Sequence, residues 1–163
     1  MKISSLEPHH YEAVKQIYAM GIASGDATFR TEAPAWREWD ESHLKIGRLV
    51  ALAGDGIVVG WAALTPFSGS CAYAGVAEVS VYIHPDHQGK GIGKRLLEAL
   101  VVESEKQKLW TLQAGIFPQN AASLKIHEHC GFRQIGYREK IGQLRGVWLD
   151  TILLERRSKK IGI

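Results

Sequence analysis

A chain of 163 residues, with 45% hydrophobic and 23% charged residues, has the size and balance of one globular domain with a real core. Its formal net charge of +3, with no basic block longer than two residues before the tail, argues against nucleic acid as the main partner. Two cysteines, Cys71 and Cys130, make neither a disulfide framework nor a zinc site by themselves, no stretch has transmembrane length, and Met1 to His10 lacks the apolar run of a signal peptide, so a cytoplasmic setting away from membranes is expected.

After a short apolar start at Ile3 and Leu6, Glu7-Pro8 opens a helix in which Tyr11, Val14, Ile17 and Tyr18 recur at helical spacing. Gly21 and Gly25 break that pattern. Thr31 to Pro34 reads as a loop, and Trp36, Trp39 and Leu44 as a second helix. From Arg48 the character changes to strand: Leu49 to Ala53 and Ile57 to Leu64 flank Gly54-Asp55-Gly56, a hairpin signal. A polar loop from Pro66 to Ser70 leads to a strand over Val76–Ile83 with Glu78 inside it, ended by His84-Pro85-Asp86 because proline removes a ladder donor.

A glycine-rich segment follows, then a helix whose Ile92, Leu96, Leu97, Leu100 and Val101 form one apolar stripe, with Lys94, Arg95, Glu98 and Glu105 largely off it. Trp110 to Ile116 is a strand. Asn120 caps a helix carrying Leu124 and Ile126, which Gly131 ends. Phe132 to Lys140 and Val147 to Glu155 form a closing antiparallel pair around Arg145-Gly146, and residues 156–163 are expected to fray. The sum is one α+β domain over residues 1–163, a mixed, mostly antiparallel central sheet flanked by helices.

The segment Gln88-Gly89-Lys90-Gly91-Ile92-Gly93 lies between a strand and a helix, where glycines let successive N–H groups curl toward one anion beside a helix N-terminus. A Walker A loop is excluded: Gln88 stands where its first glycine belongs, and Arg95 where Ser or Thr should follow Gly93-Lys94. The dinucleotide fingerprint fails as well, since Lys94 or Leu96 stands where its third glycine is required. The pattern that fits is Gln/Arg-x-x-Gly-x-Gly/Ala. Together with the preceding Glu78 to His87, with Asn120 to Ser123, with the stretch from His127 to Gly131-Phe132, and with Gly146 to Asp150, it resembles the GNAT N-acetyltransferases, in particular their phosphinothricin acetyltransferase-like branch.

That resemblance implies the GNAT fold and transfer of acetyl from acetyl-CoA, without a metal, to the primary amine of a small amino-acid-like substrate such as phosphinothricin, methionine sulfoximine or methionine sulfone. It implies that Gln88, Gly89, Lys90, Gly91, Ile92, Gly93 and Lys94 hold the cofactor's pyrophosphate. Backbone groups of Val81, Tyr82 and Ile83 would face the thioester and pantetheine arm, with Asn120 also on the cofactor. A homodimer is expected on the same ground.

Attack on a thioester requires an unprotonated amine, so a base must accept its proton directly or through water. Glu78, interrupting an apolar strand just ahead of the glycine segment, is the candidate; an edge-strand Glu without a role is the alternative. Many relatives place a Tyr acid where this chain has His127, which can act near neutral pH or simply pack. His84, His87, His129 and Cys130 lack matched ligand spacing, and no metal site is expected. Ser80, Phe67 and Tyr73 are candidate substrate contacts. Several relatives carry Arg in the region of Ser68 to Gly75, but this chain has none between Arg48 and Arg95. Arg30 is a replacement charge or a solvated loop residue. Methionine sulfone or sulfoximine is therefore expected to be preferred over the more anionic phosphinothricin. A protein or peptide acetyltransferase and a non-catalytic CoA-binding module stand as alternatives.

Overall fold

Alternation along the central strands supplies two apolar faces. In the segment Val58–Pro66, Trp61 and Ala63 point one way and Ala62 and Leu64 the other, and all four are buried. A computed structural model, which describes residues 1–163, places helices against both faces.

The strands are β1 (Lys2–Ser5), β2 (Leu49–Leu52), β3 (Val58–Pro66), β4 (Val76–Ile83), β5 (Thr111–Ile116), β6 (Arg133–Leu144) and β7 (Val147–Arg157). They form one sheet in the order β1-β2-β3-β4-β5-β7-β6. Every pairing is antiparallel except β4 with β5, which are joined by a helical crossover. The helices are α1 (Tyr11–Ser24), α2 (Trp36–Ser42), α3 (Ile92–Lys106) and α4 (Ala121–His129). Helices α1 and α2 cover one face through Val14, Ile17 and Trp39, packed in one cluster with Trp61 of β3. Helix α3 fills the other through Leu96, Leu97 and Leu100 against Ala62, Leu64 and Val79, with Leu124 and Ile126 of α4 packed alongside.

Two local readings are corrected. Gly21 does not break α1, which continues to Ser24; a Cβ there would lie 2.6 Å from Cδ1 of Tyr82, so glycine is required by the close approach of helix to sheet. Gly25 is the stop, at φ 77°. Leu44 lies beyond α2, its N–H donating to the Leu64 carbonyl at 2.8 Å.

The tail is tied down rather than frayed. Arg156 and Arg157 belong to β7, and Ser158 is buried. The Arg157 guanidinium donates to the carbonyls of Ser158 and Ile161, both at 2.8 Å, and of Gly162 at 2.7 Å. Glu105 accepts from the Ser158 hydroxyl at 2.9 Å and pairs with Arg156 at 3.2 Å and Lys160 at 3.4 Å. Glu105, off the apolar stripe of α3, is the anion that the tail's cations meet.

Candidate active site

β4 remains paired with β3 from Pro66↔Ala77 to Gly60↔Ile83, but it meets β5 only at Val76↔Thr111, Ala77↔Leu112 and Glu78↔Gln113. Beyond Glu78 the two strands part, and the β5-facing edge of β4 from Val79 to Ile83 has no strand partner. The side chains of Val81 and Ile83 turn into the α3 core, so this edge offers backbone rather than side-chain chemistry.

At the end of β4 the chain makes a short turn, in which His84 Nδ1 accepts from the Asp86 N–H at 3.2 Å. The Lys90 ammonium donates back to the Asp86 carbonyl at 2.9 Å, closing the loop around Gln88. Gly89 and Gly91 have φ of 72° and 74°, left-handed conformations that favour glycine; a Cβ on Gly91 would meet nothing within 4 Å, so conformation is the constraint. Gly93 is constrained by contact, since its Cβ would sit 3.1 Å from Cδ1 of Ile126 where α3 begins against α4. The Arg95 N–H donates to the Gly91 carbonyl at 3.2 Å, so the N–H groups of Ile92, Gly93 and Lys94 precede the helical ladder at the positive end of α3. These features fit a phosphate group: a turn built on left-handed glycines, leading into free donors.

A cleft of about 480 Å³ opens beside this edge on the α1 face, and it includes Glu78, Ser80, Val81 and Tyr82. The exposed Glu78 carboxylate accepts from Gln113 Nε2 at 3.1 Å, which holds it over the last β4–β5 pair. Ser80 and Tyr82 share its face by strand alternation. Tyr82 stacks on Trp61 with centroids 4.9 Å apart and touches Tyr18 at 4.8 Å.

His127 and Asn120 border the same cleft from α4. His127 is buried, with Nδ1 at 2.7 Å from the Ser123 carbonyl and Phe132 edge-on at 5.0 Å. Burial pulls its pKa down against the opposing effect of the Ser123 bond. A carbonyl oxygen can only accept, so Nδ1 is the nitrogen that donates to Ser123. Asn120 accepts from the Ser123 N–H at 3.2 Å and donates to the Asp26 carbonyl at 3.1 Å, so its side chain caps α4 and ties down the loop after α1.

Phe67 and Tyr73 are not among the residues that line this cleft. They pack edge-on to each other at 5.3 Å, half-exposed, because the loop after β3 carries them past the end of the sheet. The apolar wall comes instead from Tyr18, Phe29, Phe117 and Ile141. Arg30 does reach the cleft, and so do Arg138 and His43, which were not singled out from sequence. His43 stacks on Trp39 at 4.1 Å, and burial depresses its pKa to about 4, so it stays neutral. No local signal marks these residues, since each reaches the cleft through tertiary packing. No group of three or more His, Cys, Asp or Glu side chains is arranged to hold a metal ion.

Comparisons with known proteins agree with this geometry. The model of the acetyltransferase (GNAT) family matches residues 13–132. The L-methionine sulfoximine/L-methionine sulfone acetyltransferase of Salmonella typhimurium is 34% identical over 118 residues, 72% of this chain and 69% of that protein. The crystal structure of a phosphinothricin acetyltransferase from Sinorhizobium meliloti, in complex with AcCoA, superposes with a TM-score of 0.89 at 27% identity, covering 99% of this chain and 90% of that one. A ribosomal-protein-alanine N-acetyltransferase from Brucella melitensis superposes with a TM-score of 0.90 at 29% identity, covering 97% and 100%.

Proposed function

The chain belongs to the GNAT acetyltransferase family, and from that premise we propose that it transfers acetyl from acetyl-CoA to the primary amine of a small amino-acid-like substrate of the methionine sulfone, methionine sulfoximine or phosphinothricin type. The observation that carries this reading is the opened edge of β4, which runs directly into a glycine turn and the free N–H groups of α3. Acetyl-CoA supplies an acyl group activated as a thioester.

The segment from Gln88 to Lys94 holds the pyrophosphate through backbone N–H groups and the α3 dipole. The unpaired edge at Val81, Tyr82 and Ile83 takes the pantetheine arm, and an N–H there donates to the acyl oxygen as negative charge develops on it. Glu78 accepts the amine proton, directly or through a water, with Ser80 beside it on the same face. His127, whose Nδ1 lies against the Ser123 carbonyl, packs against Phe132 and shapes the cleft; the thiolate released when the thioester C–S bond breaks takes its proton from water. Asn120 holds the loop after α1 against α4 and thereby borders the cofactor groove.

The half-exposed Tyr137, Ile141, Val147 and Trp148 on the β6–β7 hairpin support a homodimer. The free thiols of Cys71 and Cys130 fit the cytoplasm, and the mild net charge fits a small-molecule partner rather than nucleic acid. No helix is long and apolar enough to cross a membrane. A peptide N-terminus as acceptor is the second reading, favoured by the likeness to the Brucella melitensis protein.

CoA release by the purified protein separates these possibilities, with acetyl-CoA and a panel of methionine sulfone, methionine sulfoximine, phosphinothricin and an alanine-ended peptide. Release with the amino acids is expected. Release with the peptide alone overturns the small-molecule reading, and acetyl-CoA binding without release to any amine overturns catalysis.

A further inference from the structure

The stretch of sequence between Arg48 and Arg95 holds no arginine, yet two arginines reach the cleft from elsewhere. Arg30 arrives on the loop after α1, and its charge is already matched: the guanidinium meets Glu38 at 2.8 Å and the Glu32 carbonyl at 3.4 Å. Arg138 arrives from β6 and takes part in none of the ion pairs of the chain.

The sheet register places Arg138 on the reacting face. Glu78 stands opposite Gln113, and Gln113 opposite Glu155. Alternation along β7 puts Thr151 on the same face as Glu155, and Arg138 stands opposite Thr151. A bulge holds it there. Glu139, Lys140 and Ile141 of β6 face Asp150 alone, with Lys140 at φ 46°. The Asp150 carboxylate pins them, accepting the Lys140 N–H at 2.7 Å and the Tyr137 hydroxyl. The bulge also brings Gly142 so close to Phe29 that a Cβ would lie 3.0 Å from its ring.

Building on the acetyltransferase reading, we propose that Arg138 is a specificity-determining residue that receives the substrate's α-carboxylate, with Asp150 positioning it through the bulge. The charged side chains lining the cleft are Asp26, Glu78, Arg30 and Arg138. Glu38 pairs with Arg30, so Arg138 is the one cleft cation outside any ion pair. The matching substrate is a zwitterionic α-amino acid with an uncharged side chain against Tyr18, Phe29 and Ile141. A second anion, such as a phosphinate, finds no free partner.

The test compares kcat and KM for L-methionine sulfone and for its decarboxylated analogue, the same sulfone amine with hydrogen in place of the carboxylate. The wild type is expected to favour the amino acid by about ten- to a hundredfold in kcat/KM, the range of one charge-assisted hydrogen-bonded pair. Arg138→Gln removes that preference through KM for the amino acid and leaves KM for the analogue and for acetyl-CoA in place; Arg30→Gln keeps the preference. Arg138 is exposed, and retained stabilisation by acetyl-CoA shows that its variant is folded. A preference that survives Arg138→Gln, or disappears in Arg30→Gln, overturns the assignment. Equal wild-type rates on the two amines overturn the carboxylate subsite while acetyl transfer stands. Transfer to neither amine overturns the functional reading itself.

Discussion

Replacing Gly91 with alanine isolates what the glycine loop does. The added Cβ meets no atom within 4 Å, so the perturbation is purely one of backbone conformation: a non-glycine residue is placed at φ 74°. That region disfavours L-residues by about 1–2 kcal/mol. For a domain of this size the strain lowers Tm by about 2–8 °C, or is relieved by rotating Gly91 and with it the N–H groups at the start of α3. Gly56, in the β2–β3 turn, is the matched control, with φ 84° and an equally open Cβ site, and it does not line the cleft. Gly91→Ala and Gly56→Ala should therefore show similar Tm losses without ligand. With acetyl-CoA at a hundred times its Kd, binding contributes about 2.7 kcal/mol, a rise of roughly 5–11 °C. The rise should persist in Gly56→Ala and shrink in Gly91→Ala, whose Kd should weaken by about ten- to a hundredfold if one charge-assisted hydrogen bond is lost. Thermal unfolding with and without acetyl-CoA measures both quantities. An identical acetyl-CoA shift in the two variants would refute the phosphate role of the loop.

Glu78→Gln preserves the hydrogen bond from Gln113, because the new amide oxygen accepts it as well, so acetyl-CoA binding should be unchanged. Turnover should fall by about two to four orders of magnitude, most at low pH where the amine is protonated; equal pH–rate profiles for the two proteins would strip Glu78 of the base role. Glu105→Gln should release the tail. Burial pushes the Glu105 carboxyl up, but hydrogen bonds from Ser158, Arg156 and Lys160 outweigh it and hold its pKa below the ordinary carboxylate value. A lowered folded pKa gives stability that is present above the unfolded value and lost as pH falls through the folded one. The wild type should therefore exceed the variant by about 1.5–3 kcal/mol at neutral pH, and thermal melts should converge in acid; a gap that persists there would contradict the latch.

The sequence alone determined whatever is encoded within a few residues. The β2–β3 hairpin, the span of β4, the start of α3 after the glycine segment and the Asn120 cap all depend on local backbone preferences, and all appear where the pattern places them. The glycine segment was legible for the same reason, since left-handed backbone favours glycine, and Gly89 and Gly91 adopt it. Tertiary structure decided everything that depends on which distant segments meet. Gly21 read as a helix break because its partner, the Tyr82 ring, lies on another element. The basic tail read as frayed because Glu105, which pairs with it, is separated from it along the chain by β5, α4, β6 and most of β7. Phe67 and Tyr73 were plausible wall residues by proximity to Glu78, yet sheet geometry carries them past the cleft. The parting of β4 from β5, and the bulge that aims Arg138, are properties of strand register. Register is a relation between strands set by packing on both faces, so no single stretch of residues contains it.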